Sequence, residues 1–282
     1  MGALLGITFQ YFMNMEIARY SLVKGESVFV GLSSMFKWAP VWFILSTFIA
    51  RAIPGIIVAS AKLTSHLVGI EEHRWIATAF LISIGMILSL GKTVYARMES
   101  ITKTVILIGT PFIFIITVLL ADYADWGALG KGLFGIGEMI PTQPEGYFLL
   151  PLGISLAVFL GAFAYAGAGG NLNLTQSIYV KEKGYGMGKY AQKMAGLFRS
   201  KKDEKIDLNG TEADTSKNSV KNFKKWWKVV SLEHFIVFWL LGLLTMSFLM
   251  LRSYVTSFQN GGNSTRHRNS RQHKSRMILE IL

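Results

Sequence analysis

The sequence predicts an all-α membrane protein with about six transmembrane helices. Of its 282 residues, 51% are hydrophobic and only 16% are charged, whereas soluble domains have roughly 25% charged residues. Several apolar runs approach or exceed the length of about 20 residues that crosses a bilayer. There is no cysteine, which excludes disulfides and thiolate metal sites. The lipid bilayer is therefore the first predicted partner.

Six apolar segments define a predicted transmembrane domain over residues 1–251. They cover residues 1–15, 38–60, 75–93, 104–121, 148–180 and 229–251. Arg51 and Pro54 interrupt the second segment. Because a charge at mid-span is expensive in hydrocarbon, we expect Arg51 to face a cavity or an acidic partner.

The charged residues indicate the orientation. Segment 181–228 carries thirteen Lys and Arg against six Asp and Glu, and the predicted loops 16–37 and 92–103 are also basic. These three segments share one side if the spans alternate, and the positive-inside rule makes that side cytoplasmic. We predict a plasma-membrane protein with a basic cytoplasmic loop at 181–228, disordered over 200–220, and a disordered basic tail at 252–282. Basic residues next to apolar spans indicate topology, so no nucleic-acid partner is predicted.

A glycine-rich stretch, "AYAGAGGNLNLTQSIYV" at 164–180, interrupts the fifth segment. Irregular backbone is tolerated at membrane depth only where it lines a protected cavity, and transporters use such broken helices to bind substrates. Close packing through small residues is the alternative. The sequence predicts a helix broken near 166–173 that binds a substrate or ion. The candidate site residues are Ala166, Gly167, Ala168, Gly169, Gly170, Asn171, Asn173 and Thr175.

A second group of polar residues follows the first apolar segment, in "NMEIARYSLVKGES" at 14–27. Glu16 and Arg19 are three residues apart and can pair on one helical face. We expect Asn14, Glu16, Arg19 and the mid-span Arg51 to have structural or gating roles.

The sequence contains no set of catalytic residues. The five histidines show no paired metal-ligand spacing, and His234, beside Glu233, is expected at the entrance of a helix. The sequence therefore predicts neither an enzyme nor a cofactor.

Two motifs resemble the Nramp-type divalent metal transporters. "QYFMNMEIARYSLVKGES" resembles that family's second-helix region, and "NLNLTQSIYV" resembles the outer half of its broken sixth helix. The resemblance covers about residues 5–250 and implies a leucine-transporter-type fold of two inverted five-helix repeats. This chain would supply the second to seventh helices. It also implies a divalent metal cation as substrate and protons as a candidate coupling ion.

The chain departs from the family at the ion site. Where typical members have Met-Pro-His, this sequence has Ala168, Gly169 and Gly170. A methionine thioether suits soft transition metals, whereas hard cations prefer oxygen ligands. The substitution favours Mg²⁺ over Mn²⁺ or Fe²⁺, held by backbone or side-chain oxygens at Ala168, Gly169 and Asn171.

The family's Asp-Pro-Gly motif is absent and is expected upstream of Met1. We therefore expect an incomplete copy, truncated at both ends, that needs missing helices or a partner subunit. Two alternatives stay open: a transporter of the same fold for an organic solute or amino acid, and a non-transporting membrane fragment.

Overall fold

A computed structural model describes residues 1–52, 55–90, 94–136, 156–193 and 207–255. All regular secondary structure within these ranges is helical, without a strand. The α-helices are α1 (Gly2–Lys24), α2 (Val28–Met35), α3 (Ala39–Ala52), α4 (Gly55–Val68), α5 (His73–Leu90), α6 (Val94–Leu120), α7 (Tyr123–Leu133), α8 (Leu156–Ala164), α9 (Asn171–Lys183), α10 (Lys217–His234) and α11 (Leu241–Ser253). A 3₁₀ helix covers Gly186–Tyr190, and a π-helix covers Phe235–Leu240.

Helix α1 is longer than predicted. Its buried residues recur every three or four positions, from Ile7 and Gln10 through Asn14 and Ala18 to Ser21, which is the period of one helical face. The helix ends before Gly25, whose φ of +69° favours glycine. Asn14, Glu16 and Arg19, which follow the first predicted apolar segment, therefore lie within α1, because the polar stripe continues the helix beyond the apolar run.

Within the described ranges, two helices are long and apolar enough to cross a membrane. They are Arg97–Leu120 and Lys217–Ser253, and only 11% and 22% of their apolar windows are buried. The second includes α10, the π-helix and α11 without interruption. Shorter apolar helices lie at Ala39–Ile49, Gly55–Val68 and His73–Ile87. The part of the chain that the structure describes thus contains two helices of this length and hydropathy, whereas six spans were predicted from the sequence.

Two expectations about polar segments are wrong. Of the loop predicted to be disordered, Lys217–Val220 belongs to α10, and the backbone N–H of Ala213 donates to Val23 O at 2.8 Å. His234 does not lie at a helix entrance, because the π-helix and α11 continue the helix beyond it. Residues 200–206 and the predicted tail from 256 onwards lie outside the described residues.

The chain divides into two compact units. The first comprises Met1–Met15, Thr104–Gly170 and Ser231–Leu282. There α11 packs against α7, with the ring of Phe248 5.2 Å from that of Phe114 and 6.2 Å from that of Trp126. The indole N–H of Trp239 donates to the Thr8 hydroxyl at 2.9 Å. Aromatic packing and one indole hydrogen bond thus hold α1, α6, α7 and the 235–253 helix together.

The second unit comprises Glu16–Lys103 and Asn171–Val230. Helices α4 and α5 form a hairpin in which Gly69 has a φ of +74° and the N–H of Ile70 donates to Ser65 O at 3.0 Å. The Ser21 hydroxyl lies 3.0 Å from Ser177 O. Because Ser21 and Ser177 are both fully buried, small residues let α1 and α9 approach closely.

Candidate functional site at the glycine-rich break

The break predicted within the fifth segment is confirmed over residues 165–170. Helix α8 ends at Ala164 and α9 begins at Asn171. Gly169 and Gly170 have φ values of +72° and +55°, a backbone conformation that other residues adopt at a cost. Asn171 and Asn173, which were expected within the break, belong to α9 instead.

The side chain of Gln10 holds the backbone of the break. Its Nε2 donates to Ala164 O at 2.7 Å, and its Oε1 accepts from the N–H groups of Ala168 and Gly169 at 2.8 and 3.3 Å. Gln10 is buried, so the three hydrogen bonds of one amide replace the two backbone hydrogen bonds that a continuous helix would have made, from Ala168 N–H to Ala164 O and from Gly169 N–H to Tyr165 O. Among the described residues, the carbonyl oxygens of Ala166 and Gly167 accept no turn or side-chain hydrogen bond.

Small residues bring the break close to α1. A Cβ at Gly6 would lie 2.6 Å from Phe163 O and 2.8 Å from the Ala166 Cβ. A Cβ at Gly167 would lie 2.5 Å from the Gln10 Oε1 and 2.6 Å from Phe238 Cζ. Glycine is therefore needed at 6 and 167 because neighbouring atoms leave no room for a Cβ. It is needed at 169 and 170 because the backbone has a positive φ there.

A cavity of about 430 Å³ lies beside the break. This is within the usual range of small-ligand sites, about 300–1,000 Å³. Its lining is apolar apart from Thr110 and Thr245, and the Thr245 hydroxyl donates to Leu241 O at 2.8 Å. The other principal lining residues are Ile7, Ala166, Gly167, Val105, Gly109, Ile113, Phe238, Leu241 and Gly242.

One wall of the cavity comes from the π-helix. His234 immediately precedes it and stacks between Tyr11 and Phe238, with ring centroids 5.6 and 4.6 Å apart. His234 is 8% exposed, and its Nε2 has no hydrogen-bond partner among the described residues. The same holds for the Oδ1 of Asn14, which is 2% exposed. π turns inside α-helices are frequent at functional sites, and Val237 and Phe238 of this turn line the cavity.

The predicted residues on α9 lie in different environments. The Asn171 Nδ2 donates to the hydroxyls of Ser46 and Thr47 on α3 at 2.8 and 3.0 Å. Thr175 is exposed and donates to Leu172 O at 2.5 Å. Asn173 is buried, and its Oδ1 has no partner among the described residues. Since residues 171 and 175 share a helical face and 173 does not, α9 separates Asn173 from the other two.

The ion pair predicted between Glu16 and Arg19 is confirmed, with 2.5 Å between Glu16 Oε2 and an Arg19 guanidinium nitrogen. Both side chains are exposed, so the pair contributes at most about 1 kcal/mol. The backbone of Arg51 lies in α3, and its side chain is outside the described set.

A cation at this site would have oxygen ligands. Within the described ranges, no group of three His, Cys, Asp or Glu residues could hold a metal ion. The backbone carbonyls of Ala166 and Gly167 are hard oxygen donors of the kind that Mg²⁺ and Ca²⁺ prefer. Sequence reasoning missed Gln10, although a glutamine four residues before Asn14 in an apolar run was a visible signal.

No family model, curated protein or solved structure gives a significant match to this chain.

Proposed function

We propose that the chain forms part of a membrane transporter. The low burial of the two long apolar helices supports this, because the core helix of a soluble protein would be mostly buried. Leu107 and Ile108 of α6 are 74% and 67% exposed. We further propose that α3, α4 and α5 also lie in the membrane, as in the leucine-transporter-type fold, with 181–228 on the cytoplasmic side of the plasma membrane.

The proposed substrate is a hard divalent cation such as Mg²⁺, and the transporter is Nramp-like. The observation that carries the proposal is the interrupted helix, whose freed carbonyls at Ala166 and Gly167 lie two and three residues beyond the C-terminal end of α8. Helix C-termini carry partial negative charge and favour cations, and unwound carbonyls bind ions in transporters. Asn171 and Thr175 already bind groups on α3 and α9, so backbone oxygens are the stronger candidates for direct ligands.

Metal selectivity tests the proposal through Ala168. The full chain is reconstituted in liposomes, and uptake of Mg²⁺ and Mn²⁺ is measured with an internal dye for each ion. We expect the unmodified chain to favour Mg²⁺. Ala168→Met supplies a thioether at the position where typical Nramp members have methionine, so it should shift selectivity towards Mn²⁺.

Ala168→Leu is the matched control, since it adds similar volume without sulfur. It should leave the Mg²⁺-to-Mn²⁺ ratio unchanged or reduce both uptakes together. Equal shifts for Met and Leu would mean that the side chain at 168 does not contact the ion. Absence of Mg²⁺ binding in calorimetry on the purified chain would contradict the cation proposal.

The apolar lining of the cavity favours a second candidate, a transporter of an organic solute or amino acid with an apolar side chain. Filling the cavity separates the two. A Cβ at Gly109 meets nothing within 4 Å, so Gly109→Leu fills part of the cavity without a backbone clash. Radiolabelled leucine uptake that falls in this variant, with no Mg²⁺ uptake in the unmodified chain, would support the second candidate. A folded chain that transports neither would be a non-transporting membrane component.

A further inference from the structure

Five lysines of α10 lie on one face of that helix. They are Lys217, Lys221, Lys224, Lys225 and Lys228. At about 100° per residue, their spacing confines them to an arc of about 100°. All five side chains are exposed, and residues 217–228 contain no Asp or Glu. We define these five residues as the lysine face.

Apolar residues occupy the opposite face of α10. Trp226 stacks on Tyr185 with 4.9 Å between ring centroids, and Phe223 stacks on Trp227 at 5.9 Å. Val230 is 1% exposed. The aromatic face thus packs against protein, and this packing leaves the lysine face directed outwards.

The lysine face is not neutralised by the described residues. None of the five lysines forms an ion pair with a described carboxylate. The two acidic side chains that precede α10 have other partners: Glu212 pairs with Lys24 at 2.7 Å, and Asp214 accepts from the Ser216 hydroxyl at 2.8 Å. The lysine face therefore has no anionic partner among the described residues and is available to bind an anion from outside the chain.

The position of the lysine face next to an apolar run indicates which kind of anion it binds. Lys228 immediately precedes the apolar run 229–251, and the structure continues the helix through that run. At 1.5 Å per residue, Lys224, Lys225 and Lys228 lie within about 8 Å of its start along the axis. The polar head-group layer of a bilayer is about 5–8 Å thick on each side, and the Debye length is about 8 Å at physiological salt.

We propose that the lysine face binds the negatively charged phosphate head groups of anionic phospholipids. This rests on the membrane placement proposed above. Clusters of four to eight basic residues next to a span bind anionic lipid in this way, and tryptophans such as Trp226 and Trp227 are enriched at the same interface. A soluble acidic protein or a nucleic acid would have to approach three lysines that already lie at head-group depth.

Spin-labelled lipids test the proposal on the full chain. The protein is reconstituted in phosphatidylcholine bilayers that contain a trace of chain-labelled phosphatidylserine or phosphatidylcholine. Electron paramagnetic resonance then gives the motionally restricted fraction of each label. We expect a higher restricted fraction for phosphatidylserine, and we expect this preference to weaken in 1 M salt, where the Debye length is about 3 Å.

Two double variants with the same change of charge are compared. Lys224→Gln/Lys225→Gln should reduce the preference for phosphatidylserine by up to roughly fivefold per lysine lost. Lys62→Gln/Lys131→Gln, on α4 and α7, should leave it unchanged. Lys224→Arg/Lys225→Arg keeps the charge and should also keep the preference.

The outcomes separate this proposal from the proposed function. If labelled phosphatidylserine and labelled phosphatidylcholine showed equal restricted fractions, the lysine-face proposal would be overturned, while integration in the membrane would be supported. The search for a partner would then turn to an acidic protein or a nucleic acid. No restricted fraction for either lipid would contradict the membrane placement itself. An equal loss in both Gln variants would mean that net charge, and not this face, sets the preference.

Discussion

Gln10 and Gly169 are joined by a hydrogen bond of 3.3 Å although 159 residues separate them. The same oxygen accepts the N–H of Ala168, and the Gln10 amide nitrogen donates to Ala164 O. One side chain from the first helix thus supplies the hydrogen bonds that the glycine-rich break cannot make for itself. The stability of the break should depend on Gln10 more than on any residue within it.

Gln10→Leu keeps the volume of the side chain and removes all three hydrogen bonds. We expect a loss of about 2–5 kcal/mol in the free energy of unfolding, because each buried polar group left unsatisfied costs about 1–3 kcal/mol. The midpoint of thermal unfolding in detergent measures the loss, and hydrogen exchange should show reduced protection at the amides of Ala168 and Gly169. Gln176→Leu is the control, since Gln176 lies within α9 and its side chain forms no hydrogen bond with a described residue. Unchanged protection at 168 and 169 would refute the bracing role.

Gly170 isolates the conformational requirement of the break. A Cβ there meets nothing within 4 Å, but φ is +55°. Gly170→Ala should therefore lower stability by about 1–2 kcal/mol from the left-handed conformation alone. Gly170→Asn should cost less, since Asn tolerates this region. Gly161→Ala, in α8, also meets open space and should be neutral or stabilising. If Ala and Asn at 170 gave equal losses, the conformational explanation would fail.

Gly31 tests a close contact in the second unit. A Cβ at Gly31 would overlap the hydroxyl of Tyr20, which donates to Glu26 Oε1 at 2.6 Å. We expect Gly31→Ala to displace Tyr20 and to destabilise the chain by about 1–3 kcal/mol, as overpacking does. Gly127→Ala, in α7 with no atom within 4 Å, should instead be neutral or slightly stabilising. Similar unfolding midpoints for the two variants would contradict this contact.

Tyr20→Phe removes the hydrogen bond to Glu26 and should cost about 1–3 kcal/mol. Tyr190→Phe is the control, because Tyr190 is exposed and should change little. Burial of the phenol, followed by its hydrogen bond to Glu26 and the nearby charges of Glu26 and Glu212, raises the pKa of Tyr20 from 10.0 to about 12.

Because the folded pKa exceeds the unfolded one, the contribution of Tyr20 is complete below pH 10.0 and is lost as the pH rises towards about 12. The difference in unfolding midpoint between the unmodified chain and Tyr20→Phe should shrink over that interval. A difference that is constant with pH would show that Tyr20 does not titrate there.

The helical class and the break could be predicted from sequence because both depend on local properties. Apolar composition fixes the class, and adjacent glycines at 169 and 170 permit the left-handed conformation. The ion pair between Glu16 and Arg19 was also predictable from sequence, because a separation of three residues places both side chains on one face of a helix.

The surroundings of the break depend on contacts between distant segments. Nothing near residue 168 in the sequence identifies Gln10 as its partner. His234 is a similar case, because its burial follows from stacking on Tyr11 and Phe238 and not from its own neighbours. Even the length of α1 was underestimated, since the polar residues Asn14 and Ser21 occupy its buried face and hide the helical period from an apolar search.

The wide turn at Phe235–Leu240 has a consequence for how the chain tolerates changes of length. A π turn accommodates one residue more than an α turn between the same flanking segments. Deleting one residue there would return the turn to α geometry while His234 and Leu241 kept their relative rotation. A homologous chain shorter by one residue at this point could therefore retain both the stacking of His234 on Tyr11 and the packing of Phe248. Elsewhere in the helix between these two residues, the deletion of one residue would rotate either His234 or Phe248 away from the rings that it packs against.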